Sequence, residues 1–184
     1  MDTRSSSLRI TVLFAFTLAF GFVFNTTSKG EDIPVFSKTV VDLGIVVSDL
    51  EESAKFYMDV IGLKEVKGFS VSGERAKSFG LTDNQPVNVR VFVLNGAKGS
   101  TQLKMMSFAK APGKKADQKF IHSTLGFSYL TLMVSDMNAA LNRIKKASVK
   151  LLGETPAKLG GKTRLTVIRD PDGNFIELIG PIKE

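Results

Sequence analysis

With 184 residues, 43% of them hydrophobic and 23% charged, the chain has room for one domain with a sizeable core or for two small modules sharing one. It has no cysteine and a single histidine, His122, which excludes a disulfide framework, a thiolate metal centre, a cysteine nucleophile and any site drawing two histidines from one chain. The net charge of +7 comes from scattered lysines without the aromatic interleaving of a nucleic-acid groove, so an acidic ligand or a solvated face is expected and nucleic acid is not.

Residues 1–30 read as an export signal. Arg4 and Arg9 give a basic start, residues 10–24 are mostly apolar and uncharged, and Ser28 and Gly30 are the small residues a signal peptidase would accept. The apolar run is shorter than the roughly 20 residues of a spanning helix, so contact with a membrane is expected only through this segment, if it stays uncleaved. Its removal takes three basic residues and one acid, leaving +5. The mature protein is expected to be periplasmic or secreted, and soluble. Residues 31–37, with Pro34, form a short leader.

Residues 39–47 open the domain as a strand, with Asp42, Gly44 and Val46 on one face and Leu43, Ile45 and Val47 on the other. Asp49 caps the helix that follows, with Glu52 three residues on, and Leu50, Ala54, Tyr57 and Ile61 recur at helical spacing until Gly62 stops it. Residues 63–71 read as a strand, 72–86 as a polar loop and 87–94 as an alternating strand. The Asn95-Gly96 turn leads into a strand over 101–108. Residues 109–124, centred on Pro112-Gly113-Lys114-Lys115, are the expected connection.

The opening words then return 87 residues later: Val134-Ser135-Asp136-Met137 repeats Val47-Ser48-Asp49-Leu50. Residues 127–134 therefore form a strand, and Asp136 caps a helix with the stripe Met137, Ala140, Leu141 and Ile144. A short strand is expected at 149–152 and a loop at 155–161. Residues 163–169 and 175–179 make the last hairpin, turned by Asp170-Pro171-Asp172-Gly173-Asn174.

The phrase running from Val47-Ser48-Asp49-Leu50 through Phe56-Tyr57 to Ile61-Gly62-Leu63, paired with residues 170–178, resembles the vicinal oxygen chelate superfamily of glyoxalases, bleomycin-resistance proteins and extradiol dioxygenases. The resemblance implies an α+β fold: two βαβββ modules, 38–108 and 125–184, forming a partly open mixed-strand barrel around one cavity. It also implies four metal-ligand positions, two per module, which fall on Asp42, Lys104, Tyr129 and Glu177. Of these only Glu177 matches the family's pattern. An ammonium donates and cannot ligate while protonated, so Lys104 is expected to form an ion pair between Asp42 and Glu177, standing where the metal would be. A two-residue slip would substitute Gln102 for Lys104 and give an oxygen-ligated site. His122 reads as a rim residue, with recruitment as a ligand or base left open.

Two main classes of function follow. One is an exported domain that binds a small organic ligand in its barrel cavity, with a degenerate metal site and no cofactor. The alternative is a glyoxalase-type lyase, isomerase or dioxygenase, either metal-dependent or using acid–base chemistry through Asp42, Lys104, Tyr129 and Glu177. A scaffold for protein contacts, and a homodimer, remain open.

Overall fold

The computed structural model describes residues 35–97 and 99–183, so the export signal expected over residues 1–30 lies outside the described residues. The chain divides into two units, Met1–Ser37 and Lys38–Glu184. Every described helix and strand belongs to the second. Among the described residues no helix is long and apolar enough to cross a membrane.

The first module begins with strand β1 (Leu43–Val46) and helix α1 (Leu50–Phe56). Asp49 sits in extended backbone, and its carboxylate accepts from the amides of Glu51 and Glu52 at 2.9 Å each, satisfying donors that the first turn leaves without partners. The last turn widens into a π-helical segment, Tyr57–Ile61. The amides of Gly62 and Leu63 both donate to the Tyr57 carbonyl, which requires φ of 90° at Gly62, a conformation glycine adopts without Cβ strain. Strand β2 (Lys64–Val71), helix α2 (Gly73–Ser78), β3 (Val87–Val93) and β4 (Gln102–Met106) complete the module.

The second module repeats the plan. It runs through β5 (Tyr129–Met133), α3 (Met137–Lys146), β6 (Ala157–Gly160), β7 (Thr163–Arg169) and β8 (Phe175–Pro181). The sheet orders are β1-β4-β3-β2 and β5-β8-β7-β6, and in each the first strand runs parallel to the last. The α+β architecture of two βαβββ-like modules is as the sequence led one to expect.

Three local expectations need correction. The loop at 72–86 contains α2: the Ser72 hydroxyl accepts from the Arg75 amide, and Ala76 is buried against Val87, Val89 and Val91. The strand expected at 149–152 is absent. Val149 and Leu151 pack against the core, and Leu152 gives only one amide to Val167. The partner of β7 is instead β6, inside the expected loop, because the Gly161 turn (φ 51°) folds the immediately preceding residues back onto β7. Finally, β1 starts at Leu43 rather than residue 39, since its ladder partner begins at Gln102.

One core serves both modules. Leu103, Met105 and Phe92 from the first sheet and Ile168, Ile176 and Leu178 from the second enclose helix residues Ala54, Val60, Met137 and Ile144. Each large side chain buried there contributes about 1.5–3 kcal/mol. Polar contacts join the modules as well. The Tyr57 hydroxyl, itself buried, donates to Asp170 Oδ2 at 3.0 Å. The Asp170 carboxylate also accepts the Asn174 backbone amide and side-chain Nδ2, both at 2.8 Å. Arg143 at the end of α3 donates to the Ile61 carbonyl, capping the first module's helix from the second.

Asp170 thus closes its own turn and anchors the opposite module. Tyr57→Phe is expected to cost about 2 kcal/mol, the range for a hydrogen bond to a charged group. Asp170→Ala should cost more, because it strands one buried and two part-buried donors. Urea denaturation at constant m-value measures both, and an unchanged midpoint for Tyr57→Phe would remove this link from the fold.

Candidate functional site

Strand parity decides which side chains can share a site. In the first module Gly44 pairs with Lys104 and Val46 with Met106; in the second Thr131 pairs with Glu177 and Met133 with Ile179. Lys104 and Glu177 therefore occupy equivalent places in the two repeats, one basic and one acidic. Asp42, Gly44 and Val46 turn away from the core-facing Leu43, Ile45 and Val47, as do Tyr129, Thr131 and Met133 from Leu130 and Leu132.

Lys104 Nζ donates to Asp42 Oδ2 at 3.0 Å, and the Gln102 amide donates to Asp42 Oδ1 at 3.0 Å. The Lys104 ammonium, foremost, and the Gln102 amide hold the Asp42 carboxyl below the usual aspartate range. The pair is partly open to solvent, with side chains 37% and 31% exposed. Glu177 lies outside it: its Oε2 accepts from the Thr131 hydroxyl at 2.7 Å. The expectation of one lysine between two carboxylates is corrected accordingly. Lys104 neutralises Asp42, while Glu177 takes its own module's threonine.

The other candidates disperse. Tyr129 is 53% exposed, and its hydroxyl makes no hydrogen bond among the described residues. Gln102 enters through its backbone amide. His122 stacks on Phe120 in the connection, ring centroids 5.5 Å apart and planes 3° apart. Among the described residues no group of three or more acidic, histidine or cysteine side chains could hold a metal ion. A four-ligand divalent site does not fit these side chains. One position carries an ammonium, the adjacent carboxylate has both oxygens engaged, and a phenol is a poor ligand unless ionised.

A cavity of about 500 Å³ lies elsewhere, at the ends of β1 and β4. Val46, Ser48, Phe108, Pro112 and Lys114 contribute to its wall on one side, and Asp172 and Asn174 on the other. Asp42, Lys104, Tyr129 and Glu177 do not line it. The turn that does line it is fixed to the first module, because both oxygens of Asp172 accept from Ser48, through its amide at 3.0 Å and its hydroxyl. Sequence reasoning missed this cross-link. A serine before the capping aspartate and an aspartate inside a turn each read as local punctuation, and only their spatial meeting gives them a joint role.

The Glyoxalase/Bleomycin resistance protein/Dioxygenase superfamily model matches residues 39–178. Among solved structures, a glyoxalase family protein from Bacillus cereus superposes with a TM-score of 0.66 at 24% identity, covering 82% of this chain and 99% of that one. The trypanothione-dependent glyoxalase I of Leishmania major gives 0.55 at 20% identity, covering 78% and 87%. An antibiotic binding protein from Streptomyces gives 0.52 at 21% identity, covering 79% and 98%. At these identities the likeness is one of fold. No curated protein matches the sequence significantly.

The ion pair makes a titration prediction. With its folded pKa depressed, Asp42 adds stability that is present above the unfolded value and lost as pH falls through the folded one. In Lys104→Met the Asp42 midpoint should rise toward the ordinary aspartate value, as carboxyl-carbon NMR would read. An Asp42 midpoint unmoved by the substitution would mean the ammonium is not its partner in solution.

Proposed function

The chain belongs to the Glyoxalase/Bleomycin resistance protein/Dioxygenase superfamily, and we propose that within it this protein is an exported domain that binds a small organic ligand and has a degenerate metal site. Domains of this superfamily bind small molecules, and their fold serves both an antibiotic binding protein and a glyoxalase I, so the fold does not choose between binding and catalysis. The donor set favours binding. The observation that carries the reading is the Lys104–Asp42 pair at 3.0 Å, which places a fixed positive charge at a position the resemblance gives to a metal ligand. A dication arriving there would meet an ammonium and a carboxylate already neutralised.

Elemental analysis of protein purified without chelators should find no stoichiometric metal, and calorimetric titration with zinc, nickel or manganese should show no micromolar binding. One equivalent of tightly held metal in the wild type would instead favour the glyoxalase-type lyase, isomerase or dioxygenase. That second reading draws on Glu177, whose carboxylate accepts a single hydrogen bond and carries no ion pair among the described residues.

The export part of the proposal rests on the pattern of residues 1–30: two arginines, a charge-free apolar run, then small polar residues. Intact-mass measurement of protein recovered from a secreting host should give a chain beginning after about residues 28–30. Full-length chain in the membrane fraction would point to an anchor.

A further inference from the structure

The cavity at the ends of β1 and β4 has a charge balance that the Asp42–Lys104 region lacks. Lys114 and Lys115 stand on its wall, and among the described residues neither enters an ion pair. Asp172, the one carboxylate on that wall, is already engaged by Ser48 through both oxygens. What is left for a visitor is the charge of two ammonium groups. The remaining lining mixes apolar groups, Val46, Phe108, Ala109 and Pro112, with Gln118. Gln118 donates its Nε2 to Asn174 at 2.6 Å, and its buried Oε1 has no hydrogen-bond partner.

We propose that this cleft is a binding site for an amphipathic organic anion, with an apolar body and one carboxylate, sulfonate or phosphate group. The proposal deepens the ligand-binding reading above and rests on it. A volume of about 500 Å³ lies within the range of small-molecule sites, roughly 300–1,000 Å³, and apolar walls with a few convergent polar groups are their usual make-up. The apolar body would lie against Val46 and Phe108, and the anionic group would face the two ammonium groups. Lysine is a compact charge on a flexible stem, so the site selects for negative charge and tolerates different anionic groups. A divalent cation is disfavoured by the same lysines. Because the Asp172 turn and the connection both border the cleft, the fold closes the site from both modules.

The test uses amide NMR of the full chain with two probes of similar shape, naphthalene-1-sulfonate and the neutral 1-naphthalenemethanol. The sulfonate should perturb residues 46–48, 107–109, 114–118 and 172–174. It should bind about tenfold more tightly than the alcohol at low salt, and the preference should shrink as salt screens the lysines. Lys114→Ala combined with Lys115→Ala should abolish the preference, while Lys114→Arg with Lys115→Arg should keep it. Equal affinity for the two probes, or a preference that survives the double alanine change, would overturn the proposal. Perturbations centred on Asp42 and Lys104 would also overturn it, while leaving the ligand-binding reading intact. No perturbation by either probe overturns the anion site; the broader reading falls separately, on stoichiometric metal.

Discussion

Burying the Asp170 carboxylate is the constraint from which the arrangement of the two modules follows. A carboxylate removed from water is costly unless hydrogen bonds replace its solvation. Here the replacements come from the Asp170–Asn174 turn itself and from Tyr57 on the other module's helix. The phenol has little freedom to do anything else. Burial and the neighbouring carboxylate both push its ionisation far above the usual range, so it remains a donor. Two residues further on, Asp172 takes Ser48, and two beyond that Asn174 takes Gln118 of the connection. A turn of five residues is thereby held by the first strand's end, the first helix and the connection at once.

The open strand faces follow a different logic. With Lys104 and Glu177 at equivalent repeat positions, duplication has produced opposite charges rather than a symmetric ligand set. Each finds a partner within its own sheet, Asp42 for the lysine and Thr131 for the glutamate. Surface-facing pairs of this kind add little to stability. Their effect is on what the face will accept, because the local charge is balanced before any ligand arrives.

Much of this was legible in the sequence. The capping aspartates 49 and 136, the apolar stripes behind them and the 87-residue repeat fixed the helices and the doubling, since these signals are local or periodic. Lys104 beside Asp42, 62 residues apart in sequence, was readable only through the ligand positions that the resemblance implies. The misplaced strand at 149–152 shows the limit. Val149 and Leu151 are apolar because they touch the core, and burial leaves the same mark on a coil as on a strand. The Ser48–Asp172 contact and the cleft beneath residues 112–118 were not legible, because each depends on where segments far apart in sequence come to rest.

The parallel pairing of first and last strands has a consequence for how the chain comes to be folded. Neither sheet is complete until a contact spanning 60 residues, Leu43 with Leu103, or 46, Thr131 with Glu177, has formed. Closing such loops is a slow, non-local step. The difference in closure entropy between the two lengths is only about 0.2 kcal/mol, too little to give either module a head start. Order must come from synthesis instead. The amino-terminal sheet can zip as soon as β4 leaves the ribosome, whereas the Tyr57 hydroxyl must wait for a carboxylate made 113 residues later. Until then the first module is a half-finished object with a polar group on its apolar helix face, which places the last step of maturation at the carboxyl-terminal hairpin.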